Sequence, residues 1–409
     1  MDIVIISNFC NDFSESDNDR FLYIARNLAD KYDVEIITSN FYHVTKKHRN
    51  RAVKKWPFKI TFLKEPGYRK NVCLKRFYSH SIWGRNVLSY LKQRKKPDVV
   101  YCAVPSLTAA GNAAKFCNQN GIRFIIDIQD LWPEAFEMVF HVPVISSLVF
   151  APFKHIADNI YRRADDICAV SQTYVNRALC VSKKCKSGYS VFLGTDLEVF
   201  DQNKESSVEW TKQKSEMWLG YCGTLGSSYD LISVIDALDI VRNKGTEPPK
   251  FIVMGDGPRK KEFEDYVKTK NVKCLFTGRL PYPQMCAMLD KCDMVVNPIE
   301  GRSAASIINK HADYAACGCP VLNTQESREY RKLIEKYDMG FNCINNDSKD
   351  LAEKIIMLTK DKVLCERLGK RARRCAEEKF DRRRTYSNIY NIMEKIEKQL
   401  LVLNETETD

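Results

Sequence analysis

The sequence has no apolar run long enough to cross a bilayer, which takes about 20 consecutive apolar residues in a helix. Its longest apolar stretch, around Val139–Phe153, is interrupted by prolines and serines. The amino terminus has no basic segment ahead of an apolar run, because it leads directly into a predicted strand, Ile3–Ile6. We therefore expect a cytoplasmic protein with neither a secretory signal nor a membrane-spanning helix.

Metal-binding and ATPase signatures are also missing. No four-ligand zinc spacing and no Gly-Lys-Ser/Thr phosphate loop occurs. His311, Cys317 and Cys319 are close in sequence, but the cysteines flank a glycine at a predicted helix end, and we interpret all three as core residues. The 16 cysteines are scattered singly, so we expect them to be reduced and mostly buried. We predict no metal and no cofactor.

Acidic residues are scarce in part of the chain. Residues 1–200 contain 29 Lys and Arg against 19 Asp and Glu, which accounts for most of the net charge of +12. From Lys46 to Lys96 there are 17 Lys and Arg, interleaved aromatic residues and a single acid, Glu65. Such a segment favours an anionic partner, for example an anionic membrane surface, and a solvated basic face is the alternative. We expect no nucleic-acid partner, since no recognised nucleic-acid module accompanies the charge.

Length and the order of predicted elements indicate two α/β domains. A chain of 409 residues exceeds what one hydrophobic core usually serves. Short apolar strands alternate with amphipathic helices, which predicts βαβ units on two doubly wound parallel sheets. The alternation restarts after a polar segment, Asp201–Glu216, interpreted as the linker. We predict Rossmann-like domains at residues 1–203 and 204–380, and a C-terminal helix with tail at 381–409 that returns to the first domain.

The individual elements are predicted from periodicity. The predicted strands are Ile3–Ser7, Val34–Thr38, Val99–Tyr101, Phe124–Ile128, Leu219–Cys222, Phe251–Met254, Val272–Phe276 and Met294–Asn297. The predicted helices are Asp19–Lys31, Leu107–Asn120, Leu231–Asn243, Arg259–Lys268, Tyr282–Lys291, Ile308–Cys317 and Arg382–Leu403. Ligands are expected at the carboxyl ends of the strands.

Two glycine turns follow predicted strands in the second half. They are Gly223-Thr224-Leu225-Gly226 and Gly255-Asp256-Gly257-Pro258. Glycine at a strand-to-helix turn lets backbone N–H groups approach a phosphate closely. A tight turn needs glycine in any case, so each turn alone fits a phosphate site and a structural turn equally well.

The segment Lys310–Val321 is more informative. Read as a helix start, it places Lys310 and Asp313 one turn apart on one face. A cation for a diphosphate beside a carboxylate for ribose hydroxyls suits a nucleotide-sugar. A surface ion pair is the alternative.

In order and spacing, these motifs resemble the retaining glycosyltransferases of the GT-B fold, within the family-4 group and its bacterial capsule and O-antigen enzymes. The likeness covers nearly the whole chain, through the segments Asp130–Glu134, Gly194–Phe200, Tyr221–Leu231, Gly255–Pro258, Phe276–Gly278 and Lys310–Pro320. It implies two Rossmann-like domains facing a cleft. It also implies metal-independent transfer of a hexose or N-acetylhexosamine from a nucleotide-sugar, a UDP-sugar, to a polyprenyl-diphosphate-linked acceptor at the inner membrane face.

The resemblance also implies residue roles. Lys310 and the glycine loop would hold the diphosphate, and Asp313 the ribose. The complete donor-binding set is Gly223, Thr224, Leu225, Gly226, Gly255, Gly257, Arg279, Arg302, Lys310 and Asp313. The sequence departs from the family at three points: Asp313 replaces the usual Glu, Ala305 stands where a second acid is usual, and the usual Arg and Lys after the glycine loop are missing. Arg302 is our candidate for supplying part of that charge.

Two carboxylates in the first half are the candidate catalytic residues. Asp127 ends the strand Phe124–Ile128, at a position where many of these enzymes have histidine, and Asp130 lies in the turn that follows. In a retaining transfer the leaving diphosphate can accept the acceptor's proton, so positioning and charge stabilisation matter more than a strong base. Either carboxylate would orient the acceptor hydroxyl or stabilise the positive sugar ring. The alternative is that both cap the helix after Pro133.

Two rival functions stay open. A nucleotide-sugar epimerase or hydrolase of the same fold would convert the sugar-nucleotide without an acceptor. A non-enzymatic nucleotide- or nucleic-acid-binding protein would bind its ligand without chemistry.

Overall fold

A computed structural model describes residues 1–11, 13, 19–49, 55–71, 73–134, 143–301 and 307–406, with side chains omitted for 143–149 and 403–406. The chain divides into two compact units: unit 1 is Met1–Val191 with Tyr386–Asp409, and unit 2 is Phe192–Thr385. These divisions differ from the predicted ones at 203/204 and 380/381. The polar segment Asp201–Glu216 lies within unit 2, where its Asp201 carboxylate accepts hydrogen bonds of 2.7 and 2.6 Å from Arg373.

Unit 1 is built on a seven-stranded parallel sheet with the strand order β5-β2-β1-β6-β7-β8-β9. Its strands are β1 (Asp2–Ile6), β2 (Asp33–Ser39), β5 (Lys59–Leu63), β6 (Val99–Val104), β7 (Arg123–Ile128), β8 (Asp166–Ala169) and β9 (Tyr189–Ser190), and β3 (Phe41–Tyr42) pairs with β4 (Lys47–His48) in a separate antiparallel hairpin. Its helices span Arg20–Ala29, Leu74–Gln93, Leu107–Asn120, Pro143–Arg163, Gln172–Leu179 and Ser387–Thr406. The strand order reverses between β1 and β6, which is where ligands bind in doubly wound sheets.

Unit 2 is built on a six-stranded parallel sheet with the order β12-β11-β10-β13-β14-β15. Its strands are β10 (Trp218–Cys222), β11 (Lys250–Met254), β12 (Cys274–Gly278), β13 (Met294–Asn297), β14 (Val321–Asn323) and β15 (Gly340–Asn342). Its helices span Leu197–Asn203, Leu231–Asn243, Lys260–Lys270, Tyr282–Asp290, Asn309–Ala316, Arg328–Tyr337, Ser348–Lys360, Lys362–Cys375 and Arg382–Thr385, with a π-helical turn at Ala376–Phe380. The order reverses between β10 and β13.

The predicted strands and helices are confirmed. The strands could be recognised in the sequence because both faces of a parallel sheet are covered, so each strand is a continuous apolar run. The ends of the strands and helices shift by at most three residues, except that the last helix begins at Ser387 rather than Arg382. That helix is part of unit 1. Its apolar side chains join the core formed by β1 and β2, namely Ile389, Ile392, Met393 and Ile396.

The basic segment 46–96 was interpreted as a surface with interleaved aromatics, and for three of the six rings, Phe58, Tyr68 and Trp83, that interpretation is wrong. Trp83, Phe58 and Tyr68 are only 1%, 8% and 3% exposed, so they belong to the core of unit 1. The helix Leu74–Gln93 separates such rings from the exposed basic residues by its 3.6-residue period. Trp56 and Phe77 are half-buried, and Tyr78 is 60% exposed.

The cysteines are unpaired, and 12 of the 16 are buried, as expected. In the part of the chain that the structure describes, no helix combines the length and apolar character needed to span a membrane.

Candidate functional site

Lys310 is buried at the start of the helix Asn309–Ala316 in unit 2. Its side chain is 7% exposed, and its Nζ has no hydrogen-bond partner among the described residues. The ammonium instead lies 4.3 Å from the ring centroid of Tyr221 and 4.0 Å from that of Tyr229. Burial lowers the pKa of Lys310 to about 7. A buried amine without a counter-charge is costly, and such perturbed groups mark places where an anionic ligand binds.

The two tyrosine rings around this amine are held in place by their own contacts. The Tyr221 hydroxyl donates to the Thr224 carbonyl at 2.8 Å, and the rings of Tyr221 and Tyr229 meet edge to face at 5.8 Å. The Tyr229 backbone forms a bridge with Ile299, directly after β13. Sequence reasoning missed this cage. Its signal was present, since one aromatic residue precedes the glycine loop and another follows it.

The glycine turns pack against each other. A Cβ added at Gly255 would lie 1.8 Å from the carbonyl oxygen of Gly223, and one at Gly257 would lie 2.3 Å from that of Leu225. Gly255 and Gly257 are therefore required by backbone contact between the turns, whatever the ligand. Gly223 has a φ of +144°, and its added Cβ would lie 2.9 Å from Lys310 Nζ. Gly223 is thus the glycine that faces the ammonium.

Two backbone N–H groups of the first glycine turn, Gly223–Gly226, already donate hydrogen bonds within unit 2. Gly223 N–H donates to the Met254 carbonyl at 3.0 Å, and Leu225 N–H donates to the Asp256 carbonyl at 2.9 Å. These two groups are unavailable to a phosphate. A ligand would therefore accept main-chain hydrogen bonds from this turn through Thr224 and Gly226, which alternate with Gly223 and Leu225 along the chain.

Asp313 lies one turn after Lys310 on the same helix, as predicted. Its Oδ1 accepts a hydrogen bond of 3.2 Å from the hydroxyl of Tyr282, which lies 2.7 Å from Thr195 Oγ1. Burial raises the pKa of Asp313 to about 6. Lys310 forms no ion pair with it or with any other described residue, so the alternative of a surface ion pair is wrong.

A buried polar network fixes the start of this helix. His311 is fully buried and stacks on Tyr330 at 3.5 Å with an interplanar angle of 3°. Its Nδ1 accepts from the Ile308 N–H at 3.2 Å, and its Nε2 lies 3.1 Å from Asn297 Nδ2 at the end of β13. Asn297 also donates to Asn323 at the end of β14 at 2.9 Å. The network ties the Lys310 backbone to two strand ends.

The remaining predictions for unit 2 have separate outcomes. Cys317 and Cys319 are buried with His311, as predicted for core residues. Arg279 follows the edge strand β12, and its side chain is exposed. Arg302 and Ala305 lie outside the described residues.

In unit 1, Asp127 is fully buried in an ion pair. Arg20 Nε lies 2.7 Å from Asp127 Oδ2, and Arg20 NH2 lies 3.1 Å from Oδ1. Arg20 is 5% exposed and also donates to the Val191 carbonyl at 3.1 Å. This fork clamps the helix Arg20–Ala29 to β7 and leaves the carboxylate no face for a ligand. The geometry gives Asp127 a structural role, neither a catalytic contact nor a helix cap.

Asp130 is more accessible. It is half-buried, and its Oδ2 accepts a hydrogen bond of 3.2 Å from Trp132 Nε1. Burial raises the pKa of this carboxyl. Of the two predicted carboxylates, Asp130 is the one that could reach an acceptor.

Comparison with known proteins gives a domain match. Residues 202–375 match the family model of Glycosyl transferases group 1, so this part of the chain is a glycosyltransferase domain. N-acetyl-alpha-D-glucosaminyl L-malate synthase of Bacillus anthracis is 23% identical over 222 residues, which are 53% of this chain and 56% of that protein. The match thus spans about half the length of that curated relative.

Solved structures resemble the chain over nearly its full length. Anabaena HepE in complex with UDP aligns with a TM-score of 0.67 and 15% identity, over 97% of this chain and 100% of that one. Sucrose-phosphate synthase from Thermosynechococcus elongatus aligns with a TM-score of 0.71 and 14% identity, over 98% and 100%. Together with the two parallel-sheet units, these likenesses confirm the predicted GT-B fold.

Proposed function

We propose that the whole chain is a retaining glycosyltransferase that moves a hexose or N-acetylhexosamine from a UDP-sugar to an acceptor bound by unit 1. The observation that carries the proposal is the unpartnered ammonium of Lys310 beside Gly223, with Asp313 one turn further along the helix. The domain match supports sugar transfer. HepE structures with UDP and with UDP-glucose support a uridine donor, and the Bacillus anthracis relative supports an N-acetylhexosamine.

The site chemistry fits transfer without a metal. The Lys310 ammonium would neutralise the charge that develops on the leaving diphosphate, in a water-poor setting where electrostatic stabilisation is strong. Asp313 would accept hydrogen bonds from ribose hydroxyls in place of the Tyr282 hydroxyl. The leaving phosphate would take the acceptor's proton, and Asp130 would orient the attacking hydroxyl.

We further propose a lipid-linked acceptor of surface polysaccharide assembly, reached at the cytoplasmic face of the membrane. At the start of the helix Leu74–Gln93, Leu74 is 88% exposed and Tyr78 is 60% exposed, beside the exposed Lys75. Apolar and aromatic side chains next to lysines are the composition of a surface that lies on an anionic membrane.

The decisive experiment incubates the purified chain with UDP-, GDP- and dTDP-sugars, with and without a membrane-extracted lipid-linked acceptor. We expect UDP release that depends on the acceptor and a product with the donor's anomeric configuration. Consumption of the sugar-nucleotide without acceptor would instead indicate the epimerase or hydrolase. No consumption of any donor would refute the proposal, and salt-sensitive DNA binding unchanged by Lys310→Ala would favour the non-enzymatic alternative.

Donor use should have a narrow pH optimum. Lys310 is charged below its pKa of about 7, and Asp313 is ionised above its pKa of about 6. Because both charged forms are needed, kcat/KM for the donor should peak between about pH 6 and 7, since this parameter reports the free enzyme. Lys310→Met should remove the alkaline limb and Asp313→Asn the acid limb. A flat profile from pH 5 to 9 would contradict these roles.

A further inference from the structure

Seven side chains form a cationic and aromatic cluster at the carboxyl edge of the unit 1 sheet. They come from the loops after β1, β5 and β7, the β3–β4 hairpin and the start of the helix Leu74–Gln93. The members of this Arg76 cluster are Phe9, His43, Lys46, Tyr68, Arg76, His80 and Trp132. None of these residues belongs to the donor site, which is in unit 2.

Arg76 is at the centre of the cluster. Its guanidinium carbon lies 4.6 Å from the ring centroid of Trp132, 5.5 Å from that of Tyr68 and 5.7 Å from that of Phe9. One terminal nitrogen donates to the Asn71 carbonyl at 2.8 Å, but the buried Nε has no partner within the described ranges. The guanidinium thus keeps its Nε–H unused, although the group also interacts with the Tyr68 hydroxyl.

His80 supplies a second unused donor. Its side chain is 4% exposed, and neither ring nitrogen has a hydrogen-bond partner among residues the structure describes. The ring stacks on Trp132 at 5.6 Å with an interplanar angle of 16°, and it lies 5.5 Å from the Phe9 ring. A neutral imidazole always carries one N–H, so a buried donor here is left without an acceptor.

The cluster contains two cations, Lys46 and Arg76. Burial lowers the pKa of Arg76, and the charge of the nearby Asp130 carboxylate acts against that larger effect. Lys46 Nζ donates to Asn71 Oδ1 at 2.6 Å and lies 5.0 Å from the Tyr68 ring. Neither Lys46 nor Arg76 forms an ion pair with a described residue. Burial, and secondarily the charge of Arg76, lowers the pKa of Lys46 to about 8. The cations repel each other, and an anion placed among them would relieve the repulsion.

The nearby carboxylates, Glu65 and Asp130, already accept hydrogen bonds from other side chains. Glu65 accepts hydrogen bonds from Asn8 at 2.9 Å and Ser79 at 2.7 Å. Asp130 accepts from Trp132, whose ring covers Arg76. Trp132 therefore connects the cluster to the carboxylate that would orient the acceptor hydroxyl.

We propose that the Arg76 cluster binds a compact oxyanion, a phosphate or carboxylate group, carried by the acceptor. Arg76 and His80 donate hydrogen bonds to it, Lys46 contributes charge, and the surrounding rings exclude water. That the oxyanion belongs to the acceptor rests on the proposed function, whereas the binding of an oxyanion by these residues does not. An acceptor with such a group would be held with its hydroxyl near Asp130.

The test measures the melting temperature of the full chain without a ligand and in the presence of inorganic phosphate, L-malate or vesicles containing a prenyl phosphate. A ligand that binds only the folded state raises that temperature. We expect at least one probe to raise the melting temperature. Phosphate and L-malate distinguish a phosphate from a carboxylate ligand, and the vesicles show whether the phosphate is carried by a lipid. Arg76→Gln and Lys46→Gln should each weaken binding about 10- to 100-fold, the loss expected for a hydrogen bond to a charged group.

Arg85→Gln is the matched control, because Arg85 is exposed on the same helix, has no role in either proposed site and undergoes the same substitution as Arg76→Gln. It should bind the probe as the unmodified chain does. Lys46→Gln keeps the test valid if Arg76→Gln does not fold. No stabilisation by any probe, or equal binding by the Gln variants of Arg76 and Lys46, would overturn the inference.

Two further titrations keep this inference apart from the donor proposal. UDP binding without oxyanion binding would overturn the inference and leave the donor site intact. Phosphate binding that survives Arg76→Gln but is lost in Lys310→Met would place the oxyanion in unit 2, and would also overturn it. Phosphate binding lost only in Arg76→Gln, with UDP binding kept, supports it.

Discussion

Lys310→Met is expected to weaken UDP binding at least about 100-fold while making the unliganded protein more stable, because a charge-assisted contact to phosphate is lost but a buried unpaired amine is removed. Methionine has a similar length and suits the cage of Tyr221 and Tyr229. At pH 6, where Lys310 is charged, the free energy of unfolding should rise by about 1–3 kcal/mol. Calorimetric titration with UDP and urea unfolding measure the two effects.

The pH dependence of unfolding provides an internal check on Lys310. Its pKa of about 7 in the folded protein lies below that of an unfolded lysine, so the unfolded chain binds more protons above pH 7. Stability from this group therefore increases as pH rises from about 7 to 10, and Lys310→Met should abolish that increase. Lys261→Met, at an exposed position of unit 2, should change neither UDP affinity nor stability. A destabilised Lys310→Met protein would contradict the absence of a counter-charge.

Asp127→Asn is expected to destabilise the protein by about 3–5 kcal/mol, since it leaves the buried Arg20 without its counter-charge. The two nitrogen–oxygen contacts of 2.7 and 3.1 Å are shielded from water at both partners. Urea unfolding of the full chain measures the loss, which should appear as a lower midpoint for unit 1.

The paired replacement of both partners separates charge loss from packing loss. Arg20→Met combined with Asp127→Leu removes both charges, and it should be less destabilising than Asp127→Leu alone. Glu397→Gln breaks the exposed ion pair with Lys31, and its midpoint should not move. If Asp127→Asn also left the midpoint unchanged, Asp127 would not be structural and would return as a candidate for acceptor contact.

The fold was predictable from the sequence because its signals are local. Each strand of a doubly wound sheet is a short apolar run, and Asp19 and Asp230 stand at helix starts where their side chains accept backbone N–H groups. Strands β4 and β5 were missed, since they lie in the basic segment whose charges hide the strand pattern, and β3, the hairpin partner of β4, has only two residues. The unit boundary was missed because polarity alone does not show that Asp201 pairs with Arg373.

The candidate site was predictable only in part. Helical spacing placed Lys310 and Asp313 on one face, and the structure agrees. The sequence could not show that Gly255 and Gly257 serve a contact between two turns, because that contact joins segments about 30 residues apart. It also could not separate Asp127 from Asp130, since only the position of Arg20 distinguishes a clamped carboxylate from a reachable one. The Arg76 cluster combines three loops, a hairpin and the start of a helix, and no spacing rule links them.

The chain path has a consequence for protein synthesis. Unit 2 is inserted between the first 191 residues and the terminal segment of unit 1. A ribosome therefore finishes unit 2 before it makes the helix Ser387–Thr406, whose apolar side chains complete the core over β1 and β2. During translation, that core surface of unit 1 stays uncovered while about half of the chain is added. The nascent chain thus passes through a stage with one finished unit and one incomplete unit, at which chaperone contact and proteolysis would act on unit 1.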